Sequence, residues 1–152
     1  MNAGRAAAAG VIATASMTAL LLIEPAVGLP EIAIGQLLSS SLSYTTAVLS
    51  AGPALGWLLH FLVGIAWALL FAGVVLVRLP GTPFVRGMLY GGLVFLLAQT
   101  VLMPLVGAGF FSRGDVPTLV GSLLGHLVYG GVLGWVYGAP GSAEVAARPK
   151  PA

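Results

Sequence analysis

A chain of 152 residues that is 59% hydrophobic, 7% charged and of net charge +2 lacks the side chains to coat a water-soluble domain; such domains carry about 25% charged residues. Its six basic residues form no stripe, which excludes nucleic-acid binding, and without cysteine there is no disulfide, thiolate metal site or cysteine nucleophile. What remains is a chain whose solvent is lipid.

Crossing the hydrocarbon core takes roughly 20 mostly apolar residues, and four stretches qualify. The first covers residues 6–27 and is interrupted only by Ser, Thr and, near its end, Glu24-Pro25. Its apolar run is long for a signal peptide, so it reads as a retained span. A rather apolar segment follows, in which residues 31–42 (EIAIGQLLSSSL) fit a short helix lying in the membrane interface. An irregular loop over the mouth of the helices is the competing reading. The second span covers residues 53–77 and stops at Arg78; the third covers 87–106, after Arg86. The fourth, 117–137, is introduced by Asp115-Val116-Pro117, with Asp as N-cap and Pro in the first turn. Residues 139–152, rich in Pro, Ala and Gly, read as a disordered tail, leaving 1–138 as one domain.

Short loops on the cytoplasmic side hold the excess Lys and Arg. With four spans, Arg5, Arg78, Arg86, Arg148 and Lys150 share one side, and Arg113 lies opposite with Glu31 and Asp115. Both termini are therefore expected in the cytoplasm. The predicted fold class is all-α: an integral membrane four-helix bundle, N-in and C-in.

The two halves echo each other. The first span ends in Pro25-Ala26-Val27-Gly28 and the third in Pro104-Leu105-Val106-Gly107. The second and fourth each carry one histidine, His60 and His126, with a glycine four residues later. This common order points to two similar helical hairpins, related by an axis along the membrane normal. The prolines either kink their helices or end them.

Every fourth residue of the second span reads Gly52, Gly56, His60, Gly64, Ala68, Ala72, and of the fourth Ser122, His126, Gly130, Gly134, Gly138. Such spacing keeps side chains on one helix face, and small faces let helices in lipid approach closely. The glycines are accordingly assigned to helix packing.

The histidines admit three readings. A neutral imidazole inside the membrane needs a hydrogen-bond partner, which Thr18, Ser16, Gln99, Thr100 or a backbone carbonyl on a neighbour would supply. Alternatively His60, His126 and Glu24 line a path for a proton, ion or small solute. In the third, His60 and His126 are axial ligands of a b-type haem, on diagonal helices of the bundle. No other metal or cofactor is indicated. The few charged residues are too scattered for a paired-carboxylate site, and no hydrolase, P-loop or dinucleotide motif appears, so no enzyme is expected.

The segments Ile12-Ala13-Thr14-Ala15-Ser16-Met17-Thr18, Leu55-Gly56-Trp57-Leu58-Leu59-His60-Phe61 and Gly121-Ser122-Leu123-Leu124-Gly125-His126-Leu127-Val128-Tyr129-Gly130 resemble a family of small uncharacterised bacterial four-helix inner-membrane proteins. The likeness covers most of residues 10–138. It implies a bacterial inner membrane and four spans, and supplies no catalytic residues, because that family has no established activity. The expected role is a non-enzymatic membrane component: a subunit or assembly partner of a larger complex, or a homo-oligomer packed through the glycine faces.

Overall fold

The structure, a computed structural model, describes residues 1–43 and 52–138, with residues 40–43 as backbone only. The tail predicted to be disordered lies outside the described residues.

Helix α1 (Ala3–Ile23) starts at Asn2, whose side chain accepts the Arg5 N–H at 3.0 Å. It runs on through a 3-10 turn, Glu24–Val27, and stops at Gly28 with φ of 86°. Helix α2 (Ile34–Ser43) falls close to the short helix expected between the first two spans. Helix α3 (Gly52–Leu70) continues into a π-helical turn, Phe71–Val75. Helix α4 (Pro83–Leu97) leads into a second π turn, Ala98–Leu102, and a last turn α5 (Met103–Leu105). Helix α6 (Val116–Gly138) begins as predicted: the Asp115 carboxylate accepts the Thr118 N–H at 3.2 Å and the Thr118 hydroxyl.

Four helical stretches, Ala3–Val27, Gly52–Val75, Pro83–Leu105 and Val116–Gly138, are long and apolar enough to cross a membrane. The third starts at Pro83 rather than after Arg86. Thr82 caps it, proline suits a first turn, and the Arg86 guanidinium is kept inside the fold by donating to the Leu76 carbonyl at 2.8 Å. Large apolar side chains lie outward along these helices, Leu62 at 51% and Trp135 at 68% exposed. Water would disfavour that surface and lipid tails would not.

Helix α1 packs against α3 and α6, α4 packs against α6, and α2 lies on α3. Spatially the long helices thus follow the order α3, α1, α6, α4. Close approach is bought with glycine. A Cβ on Gly87 would strike the Gly130 carbonyl, one on Gly91 the His126 carbonyl, and one on Gly134 the Pro83 carbonyl. At the α1–α3 contact Gly10 meets Ala68, and Gly64 meets the Thr14 hydroxyl. Gly56 lies against the backbone of Gly35 in α2, and Gly138 against the Pro83 ring. Gly52 is different: a Cβ there would meet nothing among the described residues, and its φ of 61° makes it a conformational glycine at the start of α3.

The buried face of α1 changes size along its length. Ala6, Ala9, Gly10, Ala13 and Thr14 are small, whereas Met17 and Leu21 are large. The first set sits at the end that carries Arg5, Arg78 and Arg86, called here the basic end. There Arg5 donates to the Tyr137 carbonyl at 2.7 Å and its guanidinium lies over the Tyr137 ring, tying the start of α1 to the end of α6. The same end joins α3 to α4: the Tyr90 hydroxyl donates to the Trp67 carbonyl at 2.9 Å, and the rings of Phe71 and Tyr90 lie 5.2 Å apart. Toward the opposite, acidic end, α3 and α4 part.

Candidate functional site

That parting leaves a cavity of about 850 Å³. Met17 and Leu21 of α1, Val63 and Trp67 of α3, and Val94, Leu97 and Val101 from α4 and its π turn form an apolar wall. Ile34 and Leu37 of α2 lie over the same space. Because Val63, Leu97 and Val101 line the cavity and are 42%, 47% and 51% exposed, it opens sideways between α3 and α4 as well as at its end.

The polar floor is built from four helices. His60 on α3 holds Nε2 at 3.2 Å from the Thr18 hydroxyl of α1, and its ring meets Trp57 and Phe61 edge-on. His126 on α6 points Nδ1 at the Ser122 carbonyl of its own helix, at 2.7 Å. A carbonyl only accepts, so Nδ1 carries the hydrogen; in the neutral ring Nε2 then presents a lone pair. Phe95 packs edge-on against that imidazole. Three residues on, the buried Tyr129 donates to the Gly64 carbonyl at 2.6 Å, linking α6 to α3.

Gln99 sits in the second π turn, and Pro104 accounts for that turn. Proline offers no N–H and crowds the carbonyl four residues earlier, here Thr100, so the helix widens before it. Gln99 is 1% exposed; its amide donates to the Ser122 hydroxyl at 3.1 Å and its carbonyl accepts from Ser112 at 3.0 Å. Ser112 belongs to a left-handed run, Phe111–Arg113 with φ of 45°, 47° and 56°. Thus one amide joins α4, α6 and the connection between them.

Both prolines serve ends. Pro25 and Pro104 each stand three residues before a glycine with positive φ, Gly28 at 86° and Gly107 at 79°, a left-handed residue that closes a helix.

The structure brings His60 and His126 to one cavity, and does not bring Glu24 there. Glu24 is 1% exposed at the α1–α6 contact, where a Cβ on Gly121 would meet its carboxylate at 2.5 Å. Neither of its oxygens has a hydrogen-bond partner among the described residues. Gly121 and Gly125 were missed as packing residues; they seat Glu24, Met17 and Leu21 of α1. Their spacing of four was a readable signal on a second face of α6.

The charged residues lining the cavity are Glu31 and Asp115, both acidic and exposed. Haem fits this set poorly. Bis-histidine ligation needs a ring nitrogen from each side; with Nε2 of His60 on Thr18, ligation there would use Nδ1 or break that hydrogen bond. Among the described residues that line the cavity there is no Lys or Arg to pair with the propionates. Among the described residues no group of three or more His, Asp or Glu is placed to hold a metal ion.

These features define an all-helical protein with four helices able to cross a membrane and a polar-floored cavity between them. The chain belongs to a family of unknown function, DUF6789, which matches residues 1–146. No curated protein and no solved structure matches it.

Proposed function

We propose that the chain is a non-enzymatic membrane protein that holds a membrane-soluble small molecule between α1, α3, α4 and α6. The observation that carries this reading is the meeting of His60 and His126, from diagonal helices, in one laterally open cavity with an apolar wall. Ligand sites are typically concave, mostly apolar and orient their occupant through a few polar groups. A conduit through His60, His126 and Glu24 is less favoured, because Glu24 is not among the residues lining that cavity.

The proposal includes a bacterial inner membrane with both termini on the cytoplasmic side. Arg5, Arg78 and Arg86 at one end, against Arg113 with Glu31 and Asp115 at the other, support that orientation. It also includes descent from a duplicated hairpin, supported by the matched Pro25–Gly28 and Pro104–Gly107 endings. Self-association through the glycine faces is less favoured than intramolecular packing, since Gly56, Gly64, Gly130 and Gly134 are buried within the chain. A protein partner would use another surface.

The test is mass spectrometry of small molecules extracted from protein purified in mild detergent, beside an Ala98→Trp variant that fills the cavity. A lipophile recovered in near-stoichiometric amount from the parent and lost from the folded variant is the expected result. Equal recovery from both would remove the reading.

A further inference from the structure

Resting on that binding reading, we infer that the cavity takes a neutral lipophile bearing a hydroxyl group, which donates its hydrogen to His126 Nε2.

The head group follows from which floor atoms are already engaged. Thr14 donates to the Gly10 carbonyl at 2.8 Å, Tyr129 to Gly64, and the Gln99 amide is matched by Ser122 and Ser112. His60 Nε2 has Thr18, and its Nδ1 is a donor or an acceptor according to which way that bond runs, so a hydroxyl, which is both, can also meet it. His126 Nδ1 is held by Ser122, and Nε2 has no protein partner among the described residues. An acceptor in an apolar chamber asks for a donor, because an unmatched polar atom there is costly. A ketone, ether or hydrocarbon supplies none.

The rim sets the charge. Among the described residues that line the cavity, Glu31 and Asp115 are the charged ones, while Arg113 at the same end donates to the Gly107 carbonyl at 3.1 Å and is not part of the lining, so carboxylate and phosphate head groups meet two carboxylates on entry. An ammonium group passes that rim and then loses its water at the floor, which costs several kcal/mol. A neutral hydroxyl avoids both penalties. The lateral opening beside Leu97 and Val101 lets an attached chain extend into lipid. An isoprenoid or fatty alcohol and an alkylated hydroquinone share this chemistry.

The experiment is fluorescence titration of the full chain, reconstituted in nanodiscs, with retinol, retinyl methyl ether and retinoic acid. These share one apolar body and differ at the head. A long-chain alkyl hydroquinone and its dimethyl ether, read by competition, separate a phenolic source from an alcoholic one. At least one hydroxyl compound should bind about tenfold tighter than its methyl ether, the worth of one hydrogen bond, and retinoate should bind more weakly than retinol. His126→Phe should erase the alcohol–ether difference. Equal binding of hydroxyl compounds and ethers to the parent protein would overturn the inference and leave the binding reading standing. Tighter binding of retinoate would overturn it through the rim. If no probe binds, the binding reading itself falls. The alcohol–ether comparison needs no variant, so a misfolded His126→Phe leaves the decision intact.

Discussion

Tyr129 on α6 donates its hydroxyl to the Gly64 carbonyl on α3 over 2.6 Å, tying together the two histidine-bearing helices. The contact is buried and is made by a single oxygen atom. Tyr129→Phe keeps the ring and removes only that bond, so it should cost about 1 kcal/mol of stability. Unfolding in a graded mixture of denaturing and mild detergent measures this. An unchanged midpoint would mean that the bond is absent in the folded protein.

Backbone contact between α4 and α6 leaves no room for a methyl group at Gly87 or Gly130. Gly130→Ala should therefore cost several times more than Gly92→Ala, since Gly92 has nothing within 4 Å of its Cβ position. The second change should be neutral or stabilising by up to about 1 kcal/mol, as alanine is the better helix former. Thermal melting of the two variants side by side compares them. Similar losses from both would contradict the packing.

Glu24 has two buried oxygens without partners among the described residues, a costly arrangement that an apolar isostere removes. Glu24→Leu is expected to stabilise the protein by about 1–3 kcal/mol, with Glu24→Gln closer to the parent. Both variants can be ranked by their melting temperatures. A large loss instead would point to a bound proton or ion that the carboxylate serves.

Haem ligation predicts a coloured protein. With a hydrogen bond already on each imidazole and no cation among the described residues lining the cavity to meet the propionates, purified protein from cells supplied with haem should show no Soret band, oxidised or reduced. A band lost on both His60→Ala and His126→Ala would reverse that expectation.

Much of the architecture was legible from hydropathy, since lipid tolerates few charges over some twenty residues and each span satisfies that demand. The Asp115 cap and the short α2 were legible for similar local reasons. The π turn at Ala98–Leu102 was not, because hydropathy registers length and leaves helix pitch unspecified. Gly52 was grouped with the packing glycines, yet no described residue lies against it and its φ is positive; spacing alone does not distinguish a glycine that makes room from one that takes a positive φ. Thr18 was among several possible partners for His60, and only the α1–α3 contact singles it out. Glu24 was grouped with the histidines as part of one path, yet its side chain turns to Gly121 instead of the cavity.

The helices α3, α1, α6 and α4 form a row curled until its two ends touch at Trp67 and Tyr90. The row is riveted by glycine at α4–α6 and by small residues at α1–α3, while its free margins meet at one end only. Such a body is stiff along its seams and compliant across the slit, like a split ring. The slit beside Val63 and Val101, which no such seam crosses, is the side from which the histidines are reached.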